Sequence, residues 1–150
     1  MPDITDVYKK IRTIALSDTG ANGLVPMLGK ADAFYYGEDL ALHPDAPYIV
    51  LMQSDDNPNQ TDSFWGDFRP RIEMHVCGTD PGRLHRIVER LDTLFIIPFK
   101  RSAYIDTATH VVRSMMRHNS LLLPMAQREE DDRAFQQIVT EWTMKLTAKT

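Results

Sequence analysis

The sequence predicts an α+β fold, with a mostly antiparallel sheet of four to five strands and two helices packed on one face. Apolar residues recur at every third or fourth position in residues 3–16 and 81–95, which is typical of amphipathic helices. In residues 69–77 they alternate with polar residues, as in a strand with one buried face. Consecutive strands joined by short loops pair antiparallel, and two helices can cover one face of the resulting sheet.

The N-terminal third begins with the first of these helices, residues 3–16, for which Asp3 is a suitable N-cap. The glycine-containing segment 17–23 ends this helix, because glycine readily adopts left-handed backbone. Residues 33–36 are compatible with a short strand. Residues 48–53 (YIVLMQ) are apolar on both faces, which indicates a central strand or one half of a long hairpin.

The middle of the chain contains the clearest strand pattern, residues 69–77, and Pro70 near its start suits a first residue or a sheet edge. Asp80 then provides an N-cap and a proline follows it, so the second helix is predicted at residues 81–95. Pro98 ends this helix.

The C-terminal third is predicted to form two more strands. Residues 111–117 form the first, and the charged segment 127–133 forms a turn. Residues 135–146 alternate with period two, which favours a long last strand, although the glutamines in this segment also permit a helix.

Composition limits the functional classes. The chain has 150 residues, 43% of them hydrophobic and 25% charged, which predicts one globular domain covering 1–150. The net charge of -4 and the lack of a Lys/Arg run argue against a nucleic-acid-binding protein. The apolar runs are too short for a membrane helix, and we expect an intracellular protein when it is made.

Patterns for catalysis or cofactor binding are weak. The five histidines do not form an HExxH motif, and chance explains why Glu73 and His75 share a strand face. Cys77 precedes a helix N-terminus, where its pKa could fall, but a structural thiol at the end of a strand is the simpler interpretation. The loop 77–82 lacks the lysine of a phosphate-binding loop. We therefore expect no catalytic residues, no metal and no cofactor.

Contact surfaces are the better-supported prediction. The polar face of the strand 69–77 is expected to meet a neighbour or a lumen, and adjacent carboxylates in loops could pair with a neighbour's basic residues. Loop aromatics are often interface anchors, although packing onto the domain's own core is an equal alternative. The predicted interface residues are Asp55, Asp56, Phe64, Trp65, Arg69, Arg71, Glu73, His75, Phe99, Tyr104, Glu129, Glu130, Asp131 and Asp132.

The order of these features resembles the tail terminator or tail completion proteins of long-tailed phages and tail-like particles. A short helix and a glycine-containing break lead through prolines to the apolar strand at 46–51. The alternating strand at 69–76 follows, then Gly-x-Asp and an amphipathic helix at 78–95. The chain ends on an Asp/Arg turn and a long strand, at 132–146.

The resemblance implies a structural virion protein that forms a ring, usually a hexamer, at the end of the tail tube. Such a ring stops tube growth, contacts the tail tube protein and a neck or head-completion protein, and lets DNA pass through its lumen. A sheath protein is a further candidate partner. Assembly would take place in the host cytoplasm, without a membrane. The alternatives are a head-completion or neck connector protein and, with less support, a small cytosolic hydrolase.

Overall fold

The fold was analysed in a computed structural model, which describes residues 4–37, 47–53, 60–62, 67–96, 105–124 and 136–149. In these residues the chain forms three helices and a sheet of eight strands. The helices are α1 (Thr5–Leu16), α2 (Leu24–Leu28) and α3 (Pro81–Phe95). The strands are β1 (Phe34–Tyr36), β2 (Tyr48–Gln53), β3 (Gln60–Asp62), β4 (Asp67–Arg69), β5 (Arg71–Gly78), β6 (Ile105–Asp106), β7 (His110–Pro124) and β8 (Gln136–Ala148).

The sheet runs from β1 through β2 and β5 to β8, which pairs on its other side with β7, and β6 pairs with β7. The β1–β2 pair is parallel, and the other strand pairs are antiparallel. The first edge of this sheet is therefore β1, and β7 with the short β6 forms the opposite edge.

Strands β4 and β5 follow one line along β8. Phe68 lies opposite Leu146 and Arg71 opposite Thr143, so the register does not change between the two strands. Pro70 separates them because it has no N–H to donate to the ladder. Its carbonyl oxygen still accepts a hydrogen bond from the Met144 N–H at 3.1 Å.

The last strand, β8, confirms the strand prediction for this segment over the helical alternative. From Ile138 to Leu146 its even-numbered residues are buried and its odd-numbered residues are half-buried, which is the period of two that a sheet requires. The buried side chains face the helices and form the centre of the core. They are Ile138, Thr140, Trp142, Met144 and Leu146.

Helix α3 forms as its cap signals predict. The Asp80 carboxylate accepts a hydrogen bond from the Gly82 N–H at 3.1 Å, and Pro81 occupies the start of the helix. The buried stripe of α3 packs on β5, β7 and β8. Its last residue, Phe95, makes an edge-to-face contact with Trp142 at 6.2 Å between ring centroids.

The sheet curls around the helices. Helix α1 contacts β1 at one edge of the sheet and β7 at the other, and it also packs on α2 and α3. The buried positions Val7, Ile11 and Ala15 of α1 lie in this concave interior.

The α+β class and a mostly antiparallel sheet are observed, but the expected four to five strands and two helices are too few. Helix α2 was not predicted, because five residues that include Pro26 contain too little periodicity. The parallel β1–β2 pair was also not predicted, since it depends on which strands become neighbours. Strand β7 extends to Pro124 instead of ending near 117, because its second half does not alternate. The predicted cap Asp3 lies outside the described residues, and Ile4 precedes α1 without a side-chain cap.

Candidate functional site

The polar face of β5 lies on the side of the sheet that the helices do not cover. Arg71 is exposed, and Glu73 and His75 are half-buried, with 21% and 17% of their side chains exposed. The His75 Nε2–H donates to the Glu73 carboxylate at 2.8 Å. The Nδ1 atom of the same ring lies 2.9 Å from the Gln137 side-chain oxygen, so the imidazole is held between two strands.

A second carboxylate lies beside this pair. Glu141 of β8 is directly opposite Glu73 of β5. Like charges directly opposite each other on a sheet are destabilising. The Glu73 carboxylate bonds to His75, whereas the half-buried Glu141 has no hydrogen bond or ion pair to any described residue.

An apolar patch lies on β7. Met116, Leu121 and Leu122 are 59%, 58% and 42% exposed, and they are the large hydrophobic side chains left exposed among the described residues. Met116 pairs with Thr143 and Leu121 pairs with Val139, so these two side chains lie on the uncovered face of the sheet and form the patch. Leu122 pairs with the buried Ile138 and therefore points to the helix side. Concentrated exposed apolar surface on a soluble domain is typical of a protein contact site.

In the described part of the chain, the outer edge of the same strand lacks a partner strand over most of its length. Strand β6 pairs only with Val111 and Val112, and no other described strand pairs with this edge of β7. An open edge offers unpaired N–H and C=O groups to another chain. The patch and the edge thus coincide on β7.

A cleft lies between α1 and the ends of β1 and β2, near the opposite edge of the sheet. Its volume is about 710 Å³, and Tyr8, Tyr36, Leu51 and Met52 give it an apolar lining. The Tyr8 hydroxyl is buried and has no hydrogen-bond partner among the described residues. Burial raises the pKa of Tyr8 to about 12, so the hydroxyl stays protonated and can donate at neutral pH. The remaining lining residues are Thr5, Lys9, Gly37 and Gln53.

The structure also places the residues that the sequence suggested for nucleophilic catalysis or metal binding. Cys77 is buried near the end of β5, and its Sγ lies 3.9 Å from the His75 carbonyl oxygen. In the described part of the chain no group of three or more His, Cys, Asp or Glu residues could hold a metal ion. Within the same residues, no helix is both long enough and apolar enough to cross a membrane.

Most of the interface residues predicted from sequence fall outside the described residues. The described ones are Arg69, Arg71, Glu73 and His75, and the structure brings the last three together on one face of β5. Arg69 is exposed at the end of β4. Outside the described residues lie Asp55, Asp56, Phe64, Trp65, Phe99, Tyr104, Glu129, Glu130, Asp131 and Asp132.

The apolar patch and the cleft were not predicted from sequence. A signal for the patch did exist, because residues 121–123 are three consecutive leucines and adjacent residues of a strand point to opposite faces. Such a run usually marks a strand covered on both sides. For the cleft there was no local signal, since it joins residues of α1, β1 and β2 that only the fold brings together.

Comparisons with known proteins place the fold. No family model matches the chain, and no curated protein matches it. Among solved structures, a chain of the virion of a native gene transfer agent (GTA) particle is similar, with a TM-score of 0.56 and 12% sequence identity. The match covers 95% of this chain and 92% of that chain. The protein therefore shares its fold, over nearly its whole length, with a component of a gene transfer agent virion.

Proposed function

We propose that this protein is a structural virion component that forms a ring, most simply a hexamer, at the end of a tail tube. The ring would stop tube growth and join the tail to the neck of the filled head, with DNA passing through its lumen. The observation that carries this proposal is the match to a gene transfer agent virion chain over 95% of this chain and 92% of that one.

The surface of the described residues supports an assembly role. A ring needs a contact in which two different surfaces of the same protein meet, so that rotation closes the circle. This chain offers an open strand edge with an apolar patch on β7 and a separate cleft near β1. Two unlike surfaces on one subunit suit a ring better than a symmetric dimer.

The charge of the chain is compatible with DNA in the lumen. The net charge is -4, and a mildly acidic wall repels a polyanion and lets it slide without binding. In this proposal the chain contributes no catalytic residue. Its partners are copies of itself, the tail tube protein, a neck or head-completion protein and, where the tail is contractile, a sheath protein.

The alternative is a head-completion or neck connector protein, which the virion neighbour fits equally well in fold. The two roles differ in the surface that the protein binds. A terminator binds the end of a tail tube in the absence of heads, whereas a head-completion protein binds DNA-filled heads in the absence of tails.

The test is assembly with purified parts, followed by electron microscopy. The labelled chain is mixed with polymerising tail tube protein in one sample and with tailless filled heads in another. We expect rings at one end of each tube and a fixed tube length. Binding to heads alone would establish the connector role instead. Both roles would be contradicted if the chain stayed monomeric at high concentration, bound neither tubes nor heads, and turned over a small molecule.

A further inference from the structure

The apolar patch on β7 and the cleft beside α1 lie at opposite edges of the sheet. We propose that the patch of one copy, with Glu141 beside it, docks into the cleft of the next copy, and that this contact repeats around the ring. The inference rests on the proposed function, because the ring is what makes the partner a second copy of this chain.

The apolar surfaces of the two sites are complementary. The patch offers Met116 and Leu121, which the described part of the monomer leaves exposed on the uncovered face of the sheet. The cleft has an apolar lining and a volume of about 710 Å³, large enough for several side chains. Docking would remove both surfaces from water, which is the main driving force for protein association.

The charges beside the two surfaces are also complementary. Glu141 lies one strand away from the patch, opposite Asn119 of β7, and it also faces the like charge of Glu73. Lys9 lines the cleft and is exposed. Neither the Glu141 carboxylate nor the Lys9 ammonium forms an ion pair within the described structure. A contact between copies would pair them and relieve the Glu73–Glu141 repulsion, and such pairs set the register of an interface.

The cleft also contains an unused donor. The buried Tyr8 hydroxyl has no partner among the described residues, and a buried polar group without a partner is costly. The open edge of β7 presents main-chain carbonyl groups that could accept from this hydroxyl. The docked strand would therefore satisfy a donor that the described part of the monomer leaves unpaired.

The sheet topology favours a contact between two different surfaces of identical copies. The patch lies on β7 at one edge of the sheet, and the cleft lies beside β1 at the other. When the two halves of a contact are different surfaces, each copy keeps one free half for the next copy, and the chain of contacts can close into a ring. Pairing patch with patch would instead stop at a dimer.

The first test is cross-linking between single-cysteine additions, Leu121→Cys and Lys9→Cys. The native Cys77 is buried, so the unmodified chain is the background control. With a short bifunctional thiol reagent we expect cross-linked dimers when the two variants are mixed, and little product from either variant alone. The matched control is Glu89→Cys, an exposed position on α3, which should not cross-link to Lys9→Cys.

The second test is a charge exchange. Glu141→Lys and Lys9→Glu should each raise the concentration needed for ring formation by about tenfold, because each places like charges in the contact. The double variant should return close to the unmodified value. Unfolding curves of all three variants check that each one folds.

The outcomes separate this contact from the proposed function. Rings that form normally without the mixed cross-link, or with no rescue by the double variant, would overturn the contact and leave the function standing. Strong cross-linking of Leu121→Cys with itself would show a symmetric patch-to-patch dimer and also overturn it. A chain that forms no ring, alone or on tube ends, would overturn both.

Discussion

Thr140 is a polar residue in the centre of an otherwise apolar core, fully buried on β8. Its hydroxyl donates to the Met74 carbonyl at 2.7 Å and accepts from the Trp142 Nε1–H at 2.8 Å. One hydroxyl thus satisfies two buried groups and fixes the indole ring that Phe95 contacts. Its position illustrates that a buried polar group is tolerated where its hydrogen bonds are complete.

Replacing Thr140 by Val should lower the free energy of unfolding by roughly 1–3 kcal/mol, because the Trp142 N–H is left buried without an acceptor. The measurement is chemical denaturation followed by tryptophan fluorescence. Thr143→Val is the matched control, since Thr143 lies on the uncovered face of the same strand. Equal effects of the two substitutions would show that the buried hydroxyl has no special role.

Asp18 is a second residue whose partners couple separate parts of the fold. Both of its carboxylate oxygens accept from the Arg90 guanidinium, at 2.6 and 2.8 Å, and one also accepts from the Leu24 N–H at 2.7 Å. The hydrogen bonds from Arg90 lower the pKa of Asp18, against the opposing effect of burial. The carboxylate therefore links the turn after α1 to the start of α2 and to α3.

Because the pKa of Asp18 is lower in the folded than in the unfolded chain, its stabilising contribution is present above the unfolded value, near 3.9, and is lost as pH falls through the folded value. We expect Asp18→Asn to reduce stability at neutral pH and to weaken the loss of stability on acidification. Unfolding curves measured between neutral and acid pH test this. Asp32→Asn, at an exposed position, is the control. If both variants lost the same free energy of unfolding on acidification, the stabilising role of the Asp18 carboxylate would be contradicted.

Among the helices, α3 is the one that the sequence predicts best, and it packs at the centre of the core. Its apolar stripe packs on three strands, and Arg117 of β7 forms a two-bond ion pair with its Asp92, at 2.7 Å for each bond. This pair attaches the edge strand β7 to the helix layer. Residues 118–122, directly after Arg117, are all exposed, so β7 is attached to the helix layer at Arg117 and exposed beyond it.

The N-cap of α3 can be tested by substituting Asp80. Asp80→Ala should lower the free energy of unfolding by about 1 kcal/mol, because the Gly82 N–H loses its acceptor. Asp80→Ser should keep most of the stability, since serine can accept the same bond. Thermal and chemical denaturation measure the difference. If Ala and Ser are equally destabilising, the cap contributes through something other than this hydrogen bond.

Assembly of the whole molecule gives a further prediction, because the acidic segment between β7 and β8 is expected to contact a neighbouring subunit. Four consecutive carboxylates, Glu129–Asp132, are expected to pair with basic residues of a neighbouring subunit. Reversing all four to lysine should weaken assembly strongly and leave folding intact, as measured by sedimentation and by denaturation. A matched change at the exposed Glu89, on α3, should have little effect. Assembly that survives the reversal would remove this segment from the interface.

The candidate site could be predicted only in part. Alternation along β5 correctly puts Arg71, Glu73 and His75 on one face, because strand geometry follows directly from a period of two. Their role in a ring contact stays a prediction. The hydrogen bonds of His75 to Glu73 and Gln137 could not be predicted, because Gln137 reaches the ring only through the register of β5 on β8.

Local sequence patterns were sufficient to predict α3 with its Asp80 cap and the buried face of β8. These features depend on residues close together in the chain, so periodicity and capping describe them. The folded structure was needed to find the parallel β1–β2 pair, the open edge of β7 and the cleft at Tyr8. Each of these depends on which distant segments become neighbours, and that choice is made by packing of the whole chain.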